Sequence, residues 1–198
     1  MTYSDYTQFR VLEAFGLDYD ASCFLFSGVA PREPSPLLVD TLSVNAPIAF
    51  ALNSEKARSE LVITPLLIEV HRASKGVVKM FSGNVFNVDS SVGLAGYFDF
   101  ILARSRFQNI IESPVLTVVE AKKENVPAGY GQCIATMVAA QRFNETNGEP
   151  RETIYGAVTT GDIWKFLSLT GTEVRVDRET YYLNKLEELL GVLWYTTQ

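Results

Sequence analysis

The residues of this chain best suited to chemistry are Asp99, Glu120 and Lys122, because each interrupts a run that otherwise reads as a buried strand. Asp99 lies within residues 96–102 and the other two lie within residues 118–122, and both runs are rich in apolar, β-forming residues. Unpaired buried charge is so unfavourable that charged groups in such places normally have a partner or a metal ion. An acid-x-Lys tripeptide alone means little. The information lies in the strand setting and in a second acid 21 positions upstream (120 minus 99).

Two carboxylates on neighbouring strands repel each other unless a cation lies between them. Their hard oxygen atoms suit Mg²⁺ or Mn²⁺ held with several waters and a substrate phosphate. Such an ion lowers the pKa of bound water and neutralises charge on a scissile phosphate. Because strand side chains alternate, we expect Lys122 on the same face as Glu120, where it can orient the attacking water and offset negative charge. Asp99, Glu120 and Lys122 are therefore a sufficient set for metal-assisted phosphodiester hydrolysis.

The elements expected to position these residues form an α/β pattern. Helices are predicted over residues 5–16, 54–71, 130–143 and 181–195, and strands over residues 22–26, 77–81, 85–88, 94–102, 115–121, 153–159, 163–169 and 172–176. Ser54 is the expected N-cap of the second helix, and Pro65 should kink or divide that helix. Prolines at 31, 34 and 36 predict a loop, and residues 82–84 predict a hairpin turn. This order implies a mixed sheet with helices on both faces.

The triad and its surroundings resemble the PD-(D/E)XK nuclease superfamily of restriction enzymes, junction resolvases and repair exonucleases. Asp99 with Glu120-x-Lys122 is similar to the metal-site motif of that family, although Phe98 stands where the family's proline would precede the Asp. The similarity covers roughly residues 54–195. It implies a restriction endonuclease-like core over residues 53–198, in a single domain of 1–198 with an N-terminal extension (1–52) packed on the core.

The resemblance also implies further site residues on two helices. Residues 54–58 resemble the first core helix, which often adds an acid to the metal site, and the matching acid is Glu55. Glu60 and Glu69 stay open as alternatives, because the 14 residues from Glu55 to Glu69 (69 minus 55) are about four helical turns and keep them on one face.

The helix after the Glu120–Lys122 strand supplies one more candidate. Many family members carry a glutamine there that points at the site, and residues 131–135 resemble that helix, which makes Gln132 the matching residue. Residues 155–166 resemble a late strand pair that is common in restriction-associated relatives. A helix-surface or capping role for Gln132 remains an alternative to a catalytic one.

Length and composition limit the remaining possibilities. A chain of 198 residues with a net charge of −6 is one ordinary globular domain and not a protein coated in basic residues. Local basic clusters could still bind phosphate; they are residues 71–79, Arg104 with Arg106, and Lys122 with Lys123.

No apolar run has the length of a membrane span, and the first residues do not resemble a secretion signal. The two cysteines lack CxxC spacing and predict neither disulfides nor zinc. A cytoplasmic setting is expected.

Other chemistries have little support in the sequence. His71 is the only histidine, and no Gly-x-Ser-x-Gly elbow accompanies it. Gly129-Tyr130-Gly131 lacks the third glycine of a dinucleotide fingerprint, and no Walker sequence occurs, so no nucleotide cofactor is expected. Trp164, Phe166, Tyr181 and Tyr182 could stack on bases, but core packing is the more ordinary role.

The sequence therefore predicts a Mg²⁺-dependent deoxyribonuclease, with Mn²⁺ as a possible substitute, DNA as the partner and a homodimer as a possible assembly. Asp99, Glu120 and Glu55 are the expected metal ligands, and Lys122 and Gln132 complete the catalytic set. Three alternatives remain. The triad can be an internal salt-bridge cluster, the fold can bind nucleic acid or protein without cutting, or the substrate can be a smaller phosphate ester.

Overall fold

The fold is organised around one mixed sheet of eight strands, and the computed structural model describes all 198 residues. The strands are β1 (Asp18–Asp20), β2 (Lys79–Ser82), β3 (Phe100–Ala103), β4 (Val115–Ala121), β5 (Thr153–Thr159), β6 (Ile163–Thr170), β7 (Glu173–Val176) and β8 (Tyr181–Tyr182). Their order across the sheet is β1-β7-β6-β5-β4-β3-β2, with β8 paired to β6. The β1–β7 and β4–β5 pairs are parallel and the others are antiparallel. The prediction of a mixed sheet is confirmed.

Helices cover both faces of this sheet, as predicted. They are α1 (Gln8–Phe15), α2 (Pro36–Leu52), α3 (Glu55–Arg58), α4 (Thr64–Ala73), α5 (Tyr130–Thr146) and α6 (Leu186–Tyr195). One core of 26 buried residues includes side chains of α1 and α5, and a second core of 22 includes side chains of α2, α4 and α6. No helix has the length and apolar character required to cross a membrane.

The predicted helix over residues 54–71 is present, but it consists of three segments. Ser54 is its N-cap, as expected, and its hydroxyl accepts a hydrogen bond from the backbone N–H of Ala57 at 3.1 Å. Between α3 and α4, residues Ser59–Ile63 form a π-helical turn. Pro65 explains the interruption, because its ring crowds the preceding turn and it has no N–H to donate.

Two predictions in the first quarter of the chain were wrong. Residues 22–26 are turns and not a strand, because the Asp20 carboxylate accepts hydrogen bonds from both the backbone N–H and the hydroxyl of Ser22 and turns the chain there. The proline-rich loop ends at Ser35, whose hydroxyl caps α2, and Pro36 occupies the first position of that helix. Ser-Pro before an apolar run is a helix-start signal that the sequence reading overlooked.

The prediction that residues 77–81 and 85–88 pair as a hairpin around residues 82–84 was also wrong. Strand β2 pairs with β3, while residues 85–88 contribute only an isolated bridge between Val85 and Tyr97. The strand predicted over 94–102 begins only at Phe100, because Gly96 adopts a φ of 134°, which breaks the regular strand.

The predicted last helix is shorter than expected. Tyr181 and Tyr182 form β8 against β6, and α6 begins only at Leu186. Tyr181 is held in the sheet by a 3.0 Å hydrogen bond from its hydroxyl to the buried Asp177 carboxylate. The remaining strands, β4 to β7, lie where the sequence places them.

Strand β4 is an interior strand of the sheet, paired with β3 on one side and β5 on the other, and all seven of its residues are buried. At its start, Asn144 at the end of α5 accepts a hydrogen bond from the Val115 N–H at 2.7 Å and donates one to the Val115 carbonyl at 2.8 Å. These two bonds fix where the strand begins relative to α5. They therefore help to determine which residues reach its other end.

Replacing Asn144 by alanine should destabilise the protein by about 3 kcal/mol, because it leaves two buried backbone groups of Val115 unpaired. Urea unfolding followed by circular dichroism measures this change. Glu145→Ala, at the neighbouring exposed position, is the matched control and should change the free energy of unfolding by less than about 0.5 kcal/mol. Equal effects of the two substitutions would contradict the pinning role.

Candidate active site

The structure places Asp99 beside Glu120 at the edge of the sheet where β4 ends. Phe100 pairs with Val119 in the antiparallel β3–β4 ladder, so Asp99 lies opposite Glu120. The Asp99 Oδ2 atom accepts a hydrogen bond from the backbone N–H of Ala121 at 2.8 Å. The carboxyl group of Asp99 is therefore fixed to the neighbouring strand.

Glu120 and Lys122 share one face of the strand, as the alternation of side chains requires. The Lys122 Nζ atom lies 2.6 Å from Glu120 Oε1 and 3.5 Å from Gln132 Oε1 on α5. Glu120 is only 2% exposed, while Lys122 and Gln132 are half-buried. Four residues predicted from distant parts of the sequence thus form one cluster.

Burial and charge set the protonation of this cluster. Burial raises the pKa of the Glu120 carboxyl from 4.5 to about 8; the Asp99 charge adds to the effect and Lys122 opposes it. Burial alone would lower the pKa of Lys122, but the charges of Glu120, Asp99 and Glu55 outweigh it and leave that pKa raised. Lys122 therefore stays a cation, while burial and the Asp99 charge outweigh the effect of Lys122, so that the Glu120 carboxyl favours its protonated form at neutral pH.

The three candidate helix acids have different surroundings. Glu55 is exposed in the first turn of α3, and its charge acts on Lys122. Glu60 pairs instead with Lys56 at 3.5 Å on the exposed side of the helix. Glu69 accepts hydrogen bonds from the backbone N–H and the hydroxyl of Ser35, which ties α4 to the start of α2. Of the three, Glu55 is the acid whose charge reaches the cluster.

Arg58, which the sequence reading did not single out, connects α3 to the same edge of the sheet. Its guanidinium Nη1 donates to the Thr160 carbonyl at 2.7 Å and to Asp162 Oδ1 at 2.9 Å. Thr160 and Asp162 belong to the β5–β6 turn, next to Thr159, whose carbonyl accepts a 2.8 Å hydrogen bond from the Lys122 N–H. Arg58 thus fixes the helix that carries Glu55. A lone arginine in an amphipathic helix gave no signal of this role.

Gly129 is a second residue that the sequence reading missed. A Cβ atom at this position would lie 2.5 Å from Val158 Cγ1 and 3.2 Å from Lys122 Cε. Glycine therefore leaves room for the aliphatic part of Lys122 between α5 and the sheet. In the sequence Gly129 stands out only as part of an incomplete dinucleotide fingerprint, which gives no sign of this contact.

Other candidates from the sequence lie elsewhere. The His71 Nδ1 atom is 2.7 Å from the Val78 carbonyl, so the only histidine is engaged with the backbone at the end of α4. Trp164 and Phe166 are completely buried and stacked in the core. A cavity of about 640 Å³ lies between α2 and residues 182–186, and none of the candidate active-site residues lines it.

Comparison of the chain with protein-family models, with curated proteins and with solved structures found no match. The donor set of the cluster itself is therefore the basis for its chemistry. No group of three or more His, Cys, Asp or Glu side chains gathers in the structure. Two carboxylates are nevertheless sufficient protein ligands for Mg²⁺, which usually keeps several waters.

The stability of the protein should fall as the pH rises from about 5 to about 8. The folded state holds a proton on Glu120 with a pKa of about 8, whereas the unfolded chain releases it near 4.5. The contribution of this proton to the free energy of unfolding is therefore complete below pH 4.5 and is lost by about pH 8. Inside that window the free energy of unfolding should fall by on the order of 1 kcal/mol per pH unit. The measurement is urea unfolding at several pH values.

Glu120→Gln should flatten this pH profile, because the amide does not titrate. Glu124→Gln, at a nearby exposed carboxylate, should leave it unchanged. The raised pKa of Lys122 affects stability only at pH values above this window, and so does not obscure the comparison. Parallel profiles for the wild-type protein and Glu120→Gln would show that the buried carboxyl does not titrate as described.

Proposed function

We propose that this protein is a divalent-metal-dependent phosphodiester hydrolase that cleaves DNA, built on a restriction endonuclease-like core. The observation that carries the proposal is the cluster at the end of β4, in which Asp99, Glu120, Lys122 and Gln132 meet. Glu55 adds a third carboxylate charge near Lys122. The expected order of the functional groups along the chain, namely helix acid, Asp, Glu-x-Lys and helix Gln, is retained.

The carboxyl groups of Asp99 and Glu120, at the end of β4, fit a divalent cation. Asp99 and Glu120 lie side by side, and burial together with their mutual repulsion raises the pKa of Glu120. A cation bound by both would stabilise the ionised forms that the metal-free arrangement disfavours. Asp99 and Glu120 would hold it, with Glu55 near enough to join them. When bound, such an ion supplies an activated water and neutralises charge on the scissile phosphate.

Lys122 is proposed to act as a cation and not as a general base. Its pKa is raised by the surrounding carboxylates, so it does not accept a proton near neutral pH. From its position beside Glu120, the ammonium group can stabilise negative charge that develops on a phosphate held at the carboxylates. The Gln132 amide oxygen, 3.5 Å from Nζ, helps to hold that ammonium in place.

The charge on the surrounding surface is compatible with a DNA substrate. Exposed Lys56 and Lys123, in the elements next to the cluster, pair only with the exposed acids Glu60 and Glu124, at 3.5 and 3.2 Å. Such surface pairs contribute little to stability, so their lysines are free to exchange a carboxylate for a DNA phosphate. The net charge of −6 does not oppose this, because charges farther than about 8 Å are largely screened at physiological salt.

A second candidate is a binding module on the same fold that does not cut. The observation that favours it is the ion pair itself, because Lys122 and Glu120 already satisfy each other at 2.6 Å. Such a module would bind nucleic acid with a strong dependence on salt but would take up no metal ion at Asp99 and Glu120.

Purified protein should cleave DNA in the presence of Mg²⁺, and Asp99→Asn and Lys122→Met should each reduce the rate by about 100-fold or more. Lys123→Met is the matched control, since Lys123 is adjacent in sequence but exposed and paired with Glu124. The substrates should include single-stranded, duplex and branched DNA and a small phosphodiester. Competition by duplex DNA against the small ester would reveal whether DNA occupies the site.

Two results would contradict the assignment. Cleavage by both variants at the rate of the wild-type protein would show that Asp99 and Lys122 are not active-site residues. Salt-sensitive DNA binding without metal uptake or cleavage on any substrate would favour the binding module.

Mn²⁺ binding should release about one proton at pH 7, because the Glu120 carboxyl must ionise to bind the ion. Calorimetry in buffers of different ionisation enthalpy measures this release, which Glu120→Gln should abolish. Glu55→Gln should weaken Mn²⁺ binding about 10-fold. Glu60→Gln, which changes an acid paired away from the cluster, should have no effect. Equal effects of the Glu55 and Glu60 substitutions would remove Glu55 from the metal site.

A further inference from the structure

Helix α2 is apolar on both its inner and its outer side. Among its 17 residues, Asp40 is the only charged one. Leu38, Leu42 and Ala49 face inward and are buried. A helix that is apolar all round is normally buried on every side, and α2 is covered on one side only.

The outward side carries four large apolar residues in a single line. Leu37, Val44, Ile48 and Leu52 are 60%, 62%, 48% and 63% exposed. With Thr41 they follow spacings of four, three, four and four residues, which keeps them along one seam of the helix. We call Leu37, Thr41, Val44, Ile48 and Leu52 the α2 seam.

The seam continues onto α4. Exposed Ile68 lies beside it, since Leu37, Thr41 and Ile68 line one shallow depression between the two helices. From the exposed fractions, the apolar surface of the seam and Ile68 amounts to roughly 500 Å². Each partner in a standard interface buries roughly 800 Å², of which about 65% is apolar in a homodimer. The exposed apolar surface of the seam and Ile68 therefore has the size that such an interface requires.

We propose that the α2 seam binds the α2 seam of a second copy of this chain, antiparallel and across a twofold axis near Val44. In this register Leu37 packs against Leu52 of the second copy, Thr41 packs against Ile48, and the two Val44 side chains meet. A twofold contact uses the same patch on both subunits, so each position must suit its counterpart. The contact is independent of the proposed catalytic function.

The charge distribution favours a second copy over a different partner. The seam itself carries no charge, and the two charged residues that line the depression beside Ile68, Glu69 and Arg72, pair with each other at 3.4 Å, so neither is left to attract a charged protein or a nucleic acid. In the proposed register Asp40 lies opposite residue 49 of the second copy, nine residues from that copy's Asp40. Nine residues are about 13 Å along the helix axis, so the two Asp40 carboxylates do not repel each other strongly. A helix pair of this kind removes the exposed leucine and isoleucine side chains from water, which is the main driving force for such association.

Sedimentation velocity of the purified full chain, at about 10 to 100 μM, tests the proposal. The wild-type protein should sediment as a dimer of 22.0 kDa chains. Val44→Glu and Val44→Lys should each be monomeric, with dimerisation weakened at least 100-fold. Both should keep the circular dichroism spectrum of the wild type, because Val44 is exposed, and both should melt at a temperature that does not depend on protein concentration, because a monomer gains no stability from association. Val77→Glu, at an exposed valine outside α2, is the matched control and should remain dimeric.

An equimolar mixture of Val44→Glu and Val44→Lys should dimerise again, because opposite charges then meet at the twofold axis. This recovery is specific to a second copy in the proposed register. A wild-type chain that stays monomeric up to 100 μM would overturn the proposal and assign the seam to another partner. Dimers that persist in Val44→Glu, or a mixture that stays monomeric, would also overturn it.

Discussion

The register of β4 is the constraint on which the site depends. Every residue of this strand is buried, so its side chains must suit the cores on both faces of the sheet. A shift by one residue would move Glu120 to the opposite face, into the core that α4 and α6 cover. Asn144 fixes the start of the strand through Val115, and Asp99 fixes its end through Ala121. The strand is thus held in place at both ends by polar side chains.

That constraint explains how a carboxyl group can be buried without disrupting the sheet. An isolated ionised carboxylate in such surroundings would be strongly destabilising. Glu120 avoids this because burial and the Asp99 charge raise its pKa, so that it can hold a proton, and its Oε1 atom accepts a hydrogen bond from Lys122 Nζ at 2.6 Å. The stem of Lys122 in turn needs the space that Gly129 leaves beside α5. The polar cluster therefore depends on packing as much as on charge.

Much of this arrangement could be predicted from the sequence. Strands β4 to β7 are short apolar runs bounded by turn residues, helix α5 is a longer run that follows Pro127 and Gly129, and the types of Asp99, Glu120 and Lys122 were informative because charges are rare in buried strands. The failures occurred where a single polar or glycine residue overrides the pattern. Gly96 interrupts the apolar run of residues 94–102, so that the strand begins only at Phe100. The Asp20 side chain turns the chain before residues 22–26.

Contacts between distant residues that no motif connects could not be predicted. The separation of Arg58 from Asp162 is 104 residues, and no local pattern indicates that the two meet. The choice among the helix acids depended on the same kind of information. Spacing along one regular helix would place Glu69 on the same face as Glu55, but a π-helical turn separates the two and Glu69 has Ser35 as its partner. Periodicity defines a face, but only the tertiary packing determines what that face contacts.

The physical balance at Glu120 also explains why a single site can suggest either a structural cluster or a metal centre. With a proton or with Lys122 as its only partner, the carboxyl is satisfied and the cluster is a stable part of the sheet. A divalent cation bound as proposed would compete for the same oxygen atoms, so its binding would require Glu120 to release the proton and Lys122 to loosen its hold on Oε1. The ammonium group of Lys122, which stays charged because of its acidic surroundings, would then be available to a phosphate. The charges that stabilise the metal-free cluster are in this way the same charges that metal-assisted hydrolysis requires.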